Sequence, residues 1–353
     1  MIPSRPLVAP ELDPTSIFEV FRGNYGTELL TAAVAHFHVF DHLAAGPLSF
    51  DELRRALGLA ERPAMVLTIA LRAFGLVQAD AADRYGLTEL AREHLTRGAL
   101  FDVSSYLGHM AQSPGVVEMV ERLRTNRPAN SAPEESGAMF IYKEGIESAM
   151  EAEASARELT LGLAGRARNV APWLAEVYPL DDARVLLDVA GGTGIYSVAW
   201  LLRHPDLRAI VWDRPAVLKV AAEVAAQHGV ADRLTTVAGD MFRDPVPEGA
   251  DVILFSNVLH DWDVADCWSL VARAAAALRP GGRLLIHDVF LNDALDGPIP
   301  QACYSAALFT QTEGRLYSAA EYRTWLTAAG LVPSRVIPTR IHCSLLPAIK
   351  VTD

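Results

Sequence analysis

The sequence predicts an α/β protein: a Rossmann-like, doubly wound and mostly parallel sheet behind an N-terminal all-helical, winged-helix domain. Three observations carry this. First, residues 184–189 read as a buried parallel strand, an apolar run ending at Asp188, and Gly191, Gly192 and Gly194 follow at once. An apolar helical run over 195–202 and a short strand over 209–212, ending on Asp213, come next. Strand, glycine turn, helix, strand, acid is the plan of a nucleotide-binding βαβ unit. Second, apolar runs at 234–238, 251–256 and 283–288 alternate with helices or loops, as a parallel sheet covered on both faces requires. Third, the first ninety residues read as helix, helix, helix, hairpin.

The chain has 353 residues, room for two cores, and the boundary is placed near Asn169, giving segments 1–168 and 169–353. A net charge of −12 argues against nucleic-acid or anionic-membrane partners and does not repel a cationic ligand. Cys267, Cys303 and Cys343 are widely spaced and form no C-x-x-C, so free thiols in a reducing cytoplasm are expected. The Pro-rich start lacks the apolar core of a signal peptide, and no run is long enough to span a bilayer.

Residues 1–14 read as a lead-in and 17–43 as one or two apolar helices. Ser49 is a good N-cap for 50–57, with Glu52 completing a capping box and Gly58 ending the helix. A helix over 62–74 ends at Gly75, and two short strands flank the polar turn 80–83. A DNA-reading helix here would carry clustered cations; this one holds only Arg62 and Arg72, which favours protein interaction. A helical stretch over 100–123, a Pro/Ser/Asn loop over 125–137 and a helix over 145–167 follow, with Pro172 opening the next helix. The tail, 331–350, reads as two strands with an antiparallel edge pairing.

In a doubly wound sheet the loops at the strand carboxyl ends line the ligand cleft. Gly239-Asp240-Met241-Phe242 follows the third strand. Asp240 is placed to bond a nucleobase amino group and Met241 to lie on its ring; a turn aspartate and a core methionine are the plainer alternative. His260-Asp261-Trp262-Asp263 follows the fourth strand. Either this is a cleft-edge histidine with a carboxylate partner, or Asp261 or Asp263 merely caps the next helix.

Together these motifs mark a family. Asp188-Val-Ala-Gly-Gly-Thr-Gly194 resembles the first motif of class I S-adenosylmethionine-dependent methyltransferases. With Gly-Asp-Met-Phe, the run Leu259-His-Asp-Trp-x-x-x-x-Cys267 and Pro280-Gly-Gly-Arg-Leu-Leu-Ile286, nearly the whole chain resembles small-molecule O-methyltransferases related to caffeic acid O-methyltransferase. The resemblance implies S-adenosylmethionine as cofactor, S-adenosylhomocysteine as product, a small-molecule acceptor and a homodimer formed through the N-terminal domain. It implies a cofactor cradle of Asp188, Gly191, Gly192, Gly194, Asp213, Arg214, Gly239, Asp240, Met241, Phe242, Ser256 and Asn257. It makes His260 the general base, oriented by Asp288, with Asp261 beside them. A second family glutamate falls at Leu316, a departure from the pattern. Phe140, Met150, Tyr304 and Phe309 are candidates for the acceptor pocket. Methylation at carbon with a metal on His260 and Asp261, and a cofactor-sensing regulator, are the alternatives. No third ligand is found near 306–313, so no metal is assigned.

Overall fold

The computed structural model describes residues 7–127, 141, 143 and 153–351. They fall into two compact units, one made of Ile17–Ala138 with Leu291–Ser318, the other of Met1–Ser16, Met139–Phe290 and Ala319–Asp353.

The helical unit begins with α1 (Thr15–Arg22), α2 (Asn24–Ala35), α3 (Val39–Ala44), α4 (Phe50–Leu57) and α5 (Glu61–Ala73). The strands β1 (Val77–Ala79) and β2 (Tyr85–Leu87) follow, then α6 (Glu89–His94), α7 (Ser104–Gly108) and α8 (Pro114–Thr125). The capping box at Ser49 and Glu52 is present, and Gly58 ends α4 in the left-handed region. β1 and β2 pair antiparallel, Val77 opposite Leu87. The expected helical stretch over 100–123 is two helices. Pro114 supplies no N–H to the turn before it, so it opens α8 at its first position.

The other unit holds α9 (Glu153–Val177), β3 (Val185–Val189), α10 (Ile195–Arg203), β4 (Arg208–Asp213), α11 (Pro215–Gln227), β5 (Leu234–Ala238), β6 (Val252–Ser256), α12 (Val264–Ala277) and β7 (Arg283–Val289). After α13 (Ile299–Gln311), which belongs to the helical unit, come α14 (Ala319–Ala328), β8 (Leu331–Pro333), β9 (Ile337–Pro338) and β10 (Cys343–Lys350). The strand order is β5-β4-β3-β6-β7-β10-β8, with β9 also on β10. β3 to β7 run parallel, and β10 lies antiparallel to β7 with Leu345 opposite His287. The central strands are buried on both faces, which is why they read as near-continuous apolar runs. Chain order reverses between β3 and β6, the switch point at which a doubly wound sheet opens a ligand crevice.

Pro172 does not open a new helix. It lies inside α9, so a cut at Asn169 falls within one continuous helix. Val170, Ala171, Leu174 and Ala175 are fully buried on the side that meets α10 and α11, and that burial carries the helix through the proline. The chain also leaves this unit after Phe290 and returns at Ala319. The excursion holds α13, whose Ala302, Cys303, Ala306 and Phe309 are buried in the helical unit. Its end is fastened by arginines: Arg122 donates to the Thr310 carbonyl, and Arg62 to those of Thr312 and Gly314 at 2.7 and 3.0 Å. Arg72 lies over the Tyr85 ring. Both cations of the helix considered for DNA reading are therefore engaged within the unit. Among the described residues no helix is long and apolar enough to cross a membrane. All three cysteines are buried free thiols.

Leu254 sits mid-sheet with no exposed surface. Leu254→Ala should cost about 2–5 kcal/mol of stability, read as a lower thermal midpoint; an unchanged midpoint would contradict its place in the core.

Candidate active site

The turn after β3 is built from backbone that few residues tolerate. Ala190 has φ +51°, Gly192 +60° and Gly194 +65°. Gly191 is required for space: a Cβ there would lie 2.7 Å from the Asp188 carboxyl carbon. The turn is tied to the end of β4, because Ala190 N–H donates to the Trp212 carbonyl at 2.8 Å and Gly192 N–H to Asp213 Oδ2 at 2.8 Å. Arg214 N–H donates to Asp213 Oδ1 at 2.7 Å. Asp188 accepts from Ser197 Oγ at 2.7 Å through Oδ2, while its buried Oδ1 has no hydrogen-bond partner among the described residues.

No cation offsets the burial of Asp188, and the Arg214 charge offsets that of Asp213 only in part. Burial pushes the Asp188 carboxyl up to about 7, with the nearby Asp213 charge adding to the shift. Burial likewise lifts Asp213 to about 6, against the pull of its two backbone donors. Two buried carboxyls, one held by the Ser197 hydroxyl and one by two backbone donors, are groups that hydroxyl and amino donors, or a positive charge, can satisfy.

The third loop joins this pocket. Gly239 N–H donates to the Asp213 carbonyl at 3.1 Å, and a Cβ on Gly239 would collide with the Trp212 indole nitrogen. Asp240 pairs with Arg214 at 2.9 Å and accepts the Phe242 N–H at 2.8 Å. Met241 and Phe242 are half-buried. The Phe242 ring packs edge-on against Trp262 at 4.8 Å and lies under the Lys143 ammonium, which also pairs with Asp266.

His260 comes from a single 3-10 turn, Leu259–Asp261, directly after β6. Asp263, not Asp261, caps α12 by accepting the Asp266 N–H at 2.9 Å. Asp261 is thereby left to the histidine, its Oδ1 at 3.6 Å from Nε2. On the other side, Asp288 Oδ1 lies 2.5 Å from His260 Nδ1 and also accepts the Val289 N–H at 2.7 Å. His260 and Asp288 are both buried. Burial alone lowers the affinity of the imidazole for a proton. The Asp288 and Asp261 charges and the Asp288 hydrogen bond outweigh that, so His260 titrates above its ordinary value. Burial lifts the Asp261 carboxyl to about 7 despite the imidazole beside it. His287 alternates away from Asp288, bonding Ser256 at 2.8 Å and Thr339 at 3.0 Å, and burial with the Arg166 charge drops it to about 3.

Ser256 and Asn257 sit at the end of β6 but are tied into the protein. Asn257, at φ +54°, accepts from Arg166 at 2.6 Å and donates to Tyr196 and Ser256 at 3.2 Å. Of the acceptor-pocket candidates, Phe140 and Met150 lie outside the described residues. In the helical unit, the Tyr304 ring carries the Arg22 guanidinium at 3.5 Å, and buried Phe309 carries that of Arg62 at 4.6 Å. Leu316 is fully buried. Among the described residues no group of three or more His, Cys, Asp or Glu is placed to hold a metal ion.

Sequence reading missed three contributors. Arg166 holds the left-handed Asn257 from α9; the Cys267 thiol donates to the Leu259 carbonyl at 3.1 Å, bracing the turn; and Tyr322 donates to Asp288 Oδ2 at 3.2 Å. Only Cys267 left a signal, as the last residue of the Leu-His-Asp-Trp-x-x-x-x-Cys run.

Sheet order, glycine turn and paired acids define the class I methyltransferase fold. Within that class, residues 132–332 match the O-methyltransferase domain and 18–97 the O-methyltransferase dimerisation domain, and the chain belongs to the O-methyltransferase family. It is 33% identical to 3-hydroxy-5-methyl-1-naphthoate 3-O-methyltransferase of Streptomyces sahachiroi, over 92% of this chain and 91% of that one. It resembles the crystal structure of an O-methyltransferase family 2 protein from Planctomyces limnophilus in complex with apigenin, at 50% identity, TM-score 0.88 and 98% coverage of both chains. A neocarzinostatin-biosynthesis O-methyltransferase, solved with S-adenosylmethionine and 2-hydroxy-5-methyl naphthoic acid, matches at 26% identity, TM-score 0.57, and 92% and 96% coverage.

Gly191→Ala must displace the Asp188 carboxylate or the turn. A loss of about 1–3 kcal/mol is expected, read as a lower thermal midpoint; wild-type stability would show that the turn yields freely.

Proposed function

We propose that this chain transfers the methyl group of S-adenosylmethionine to a hydroxyl oxygen of a small aromatic metabolite, with His260 as general base, and that it acts as a homodimer. The observation that carries this reading is the buried His260 Nδ1–Asp288 contact in a protein whose switch point holds two buried acids that keep raised proton affinities. Relatives named for a hydroxynaphthoate and solved with apigenin support an aromatic hydroxyl acceptor. The match to a dimerisation domain supports the dimer.

The residues fit the donor. Asp213, set at the tip of β4 and oriented by two backbone N–H groups, is suited to ribose hydroxyls. Asp188 Oδ1 is an unspent buried acceptor, and Gly191 and Gly239 let the backbone pack directly on Asp188 and Trp212, where a side chain would displace them. Asp240, Met241 and Phe242 are suited to the adenine end. When bound, S-adenosylmethionine supplies an electrophilic methyl on a positively charged sulfur.

The chain's own task is the proton. A phenol ionises near pH 10 and a free imidazole near 6.5, so full transfer between them costs about 3.5 units, or ~5 kcal/mol. Asp288 narrows that gap by stabilising the imidazolium and fixes the tautomer, leaving Nε2 as the accepting nitrogen. Asp261 adds a second carboxyl on the Nε2 side. The remaining gap favours proton transfer concerted with methylation, or an acceptor already acidified by its own substituents.

His260→Ala should lower kcat at least about a hundredfold while calorimetry finds donor affinity almost unchanged; retained turnover would remove His260 from the mechanism. His260 must be neutral to act and its proton affinity is raised. The acid limb of kcat/KM should therefore lie above ~6.5, and an inflection below that value would contradict the carboxylate support. Ribose hydroxyls bond the ionised Asp213 better, so donor affinity should rise with pH through about 6 and level off above it. Asp213→Asn should weaken binding and flatten that dependence.

A further inference from the structure

The base is oriented by Asp288, but nothing so far says what orients Asp288. Its Oδ1 is committed twice, to His260 Nδ1 at 2.5 Å and to the Val289 N–H at 2.7 Å. A carboxylate held through one oxygen can still swing about the bond that joins it to the side chain, and each swing moves the lone pair that His260 uses. The second oxygen is the handle that stops this. In this protein Oδ2 accepts the phenol hydroxyl of Tyr322 at 3.2 Å.

Tyr322 comes from α14 and is fully buried. Its ring packs on Phe290 at 5.2 Å and edge-on against Trp325 at 5.1 Å. A phenylalanine would fill the same space. What the hydroxyl adds is one donor aimed at one carboxylate oxygen, in a setting where an unsatisfied buried hydroxyl would be costly.

We propose that Tyr322 is a positioning residue for the catalytic pair: its hydroxyl locks the Asp288 carboxylate so that Oδ1 faces His260 Nδ1 and leaves Nε2 to accept the proton. This rests on His260 being the base. The role extends to charge. The hydroxyl draws off part of the Asp288 charge and so moderates its pull on the imidazole. The other charged and titratable groups around the pair are Asp261 beside Nε2, Arg166 from α9, which lowers the proton affinity of His260, and His287, the strand neighbour of Asp288.

The test is Tyr322→Phe, measured beside Phe290→Leu and His260→Ala. Tyr322→Phe should melt close to wild type and bind S-adenosylmethionine with unchanged affinity. Its kcat should fall about tenfold, the worth of one hydrogen bond to a charged group. Its acid limb of kcat/KM should move to higher pH, because an unmoderated Asp288 holds the imidazolium more tightly. In the donor-free protein, the downfield proton resonance of His260 Nδ1, assigned by its loss in His260→Ala, should shift in Tyr322→Phe. Phe290→Leu, which disturbs only packing, should lower the thermal midpoint and leave limb and resonance in place. Wild-type turnover, limb and resonance in Tyr322→Phe would overturn the positioning role, and so would a loss of turnover with no movement of limb or resonance. Those results leave the base assignment intact so long as His260→Ala is inactive. An active His260→Ala instead removes the base, and the proposal with it.

Discussion

A negative charge kept out of water against an imidazole is the constraint on which the site depends. Asp288 is buried at the end of β7, and His260 lies on the turn that leaves the neighbouring strand β6. Parallel pairing of β6 with β7, Ser256 opposite His287, brings both residues to the same edge of the sheet. An isolated buried carboxylate would be expensive. Here it is held by an imidazole, a backbone N–H and a phenol. For the proposed base the consequence is chemical: its tautomer is set before any acceptor arrives, and little reorganisation is needed as charge develops.

The same sheet edge answers the opposite electrostatic problem at β3 and β4. Asp188 and Asp213 are buried acids, only Asp213 feels a side-chain cation, Arg214, and both hold protons more tightly than ordinary aspartates. The pair is held in place because two backbone donors fix Asp213, the Ser197 hydroxyl fixes Asp188, and Gly191 packs against Asp188 without a side chain. One strand edge thus carries an acid pair left open to a cationic donor and an imidazole whose carboxylate support is already in place. The division follows from topology, since the reversal between β3 and β6 gathers four loops at one end.

Much of this was legible because local chemistry and sheet position agree. The glycine turn, the acid closing β4, and the loops carrying Gly239 to Phe242 and His260 were readable from residue type and place, while their roles came with the family resemblance, and the capping box at Ser49 formed as written. The ambiguity between Asp261 and Asp263 was real in one dimension. Only the backbone shows that Asp263 takes the cap and frees Asp261. Arg166 and Tyr322 left no local trace, because each meets its partner from far along the chain, 91 and 34 residues away. Pro172 misled for a related reason: its local preference for ending a helix is overridden by burial of the turns around it. Leu316, the departure from the family pattern, is fully buried, and Asp288 accepts the phenol of Tyr322.

The return of the chain between Phe290 and Ala319 constrains how such a molecule can be made and cut. The excursion from Leu291 to Ser318 carries the buried side chains of α13 to a unit whose remaining residues, Ile17–Ala138, were all synthesised before β3. A ribosome that has delivered the first 138 residues has therefore not delivered a complete core, and the helical unit closes only after every parallel strand has emerged. Severing the chain at any one peptide bond between 139 and 290 leaves an amino-terminal fragment with the seat of α13 uncovered, an apolar surface prone to self-association. Modular exchange of the two halves among relatives therefore needs two junctions on the carboxyl side rather than one.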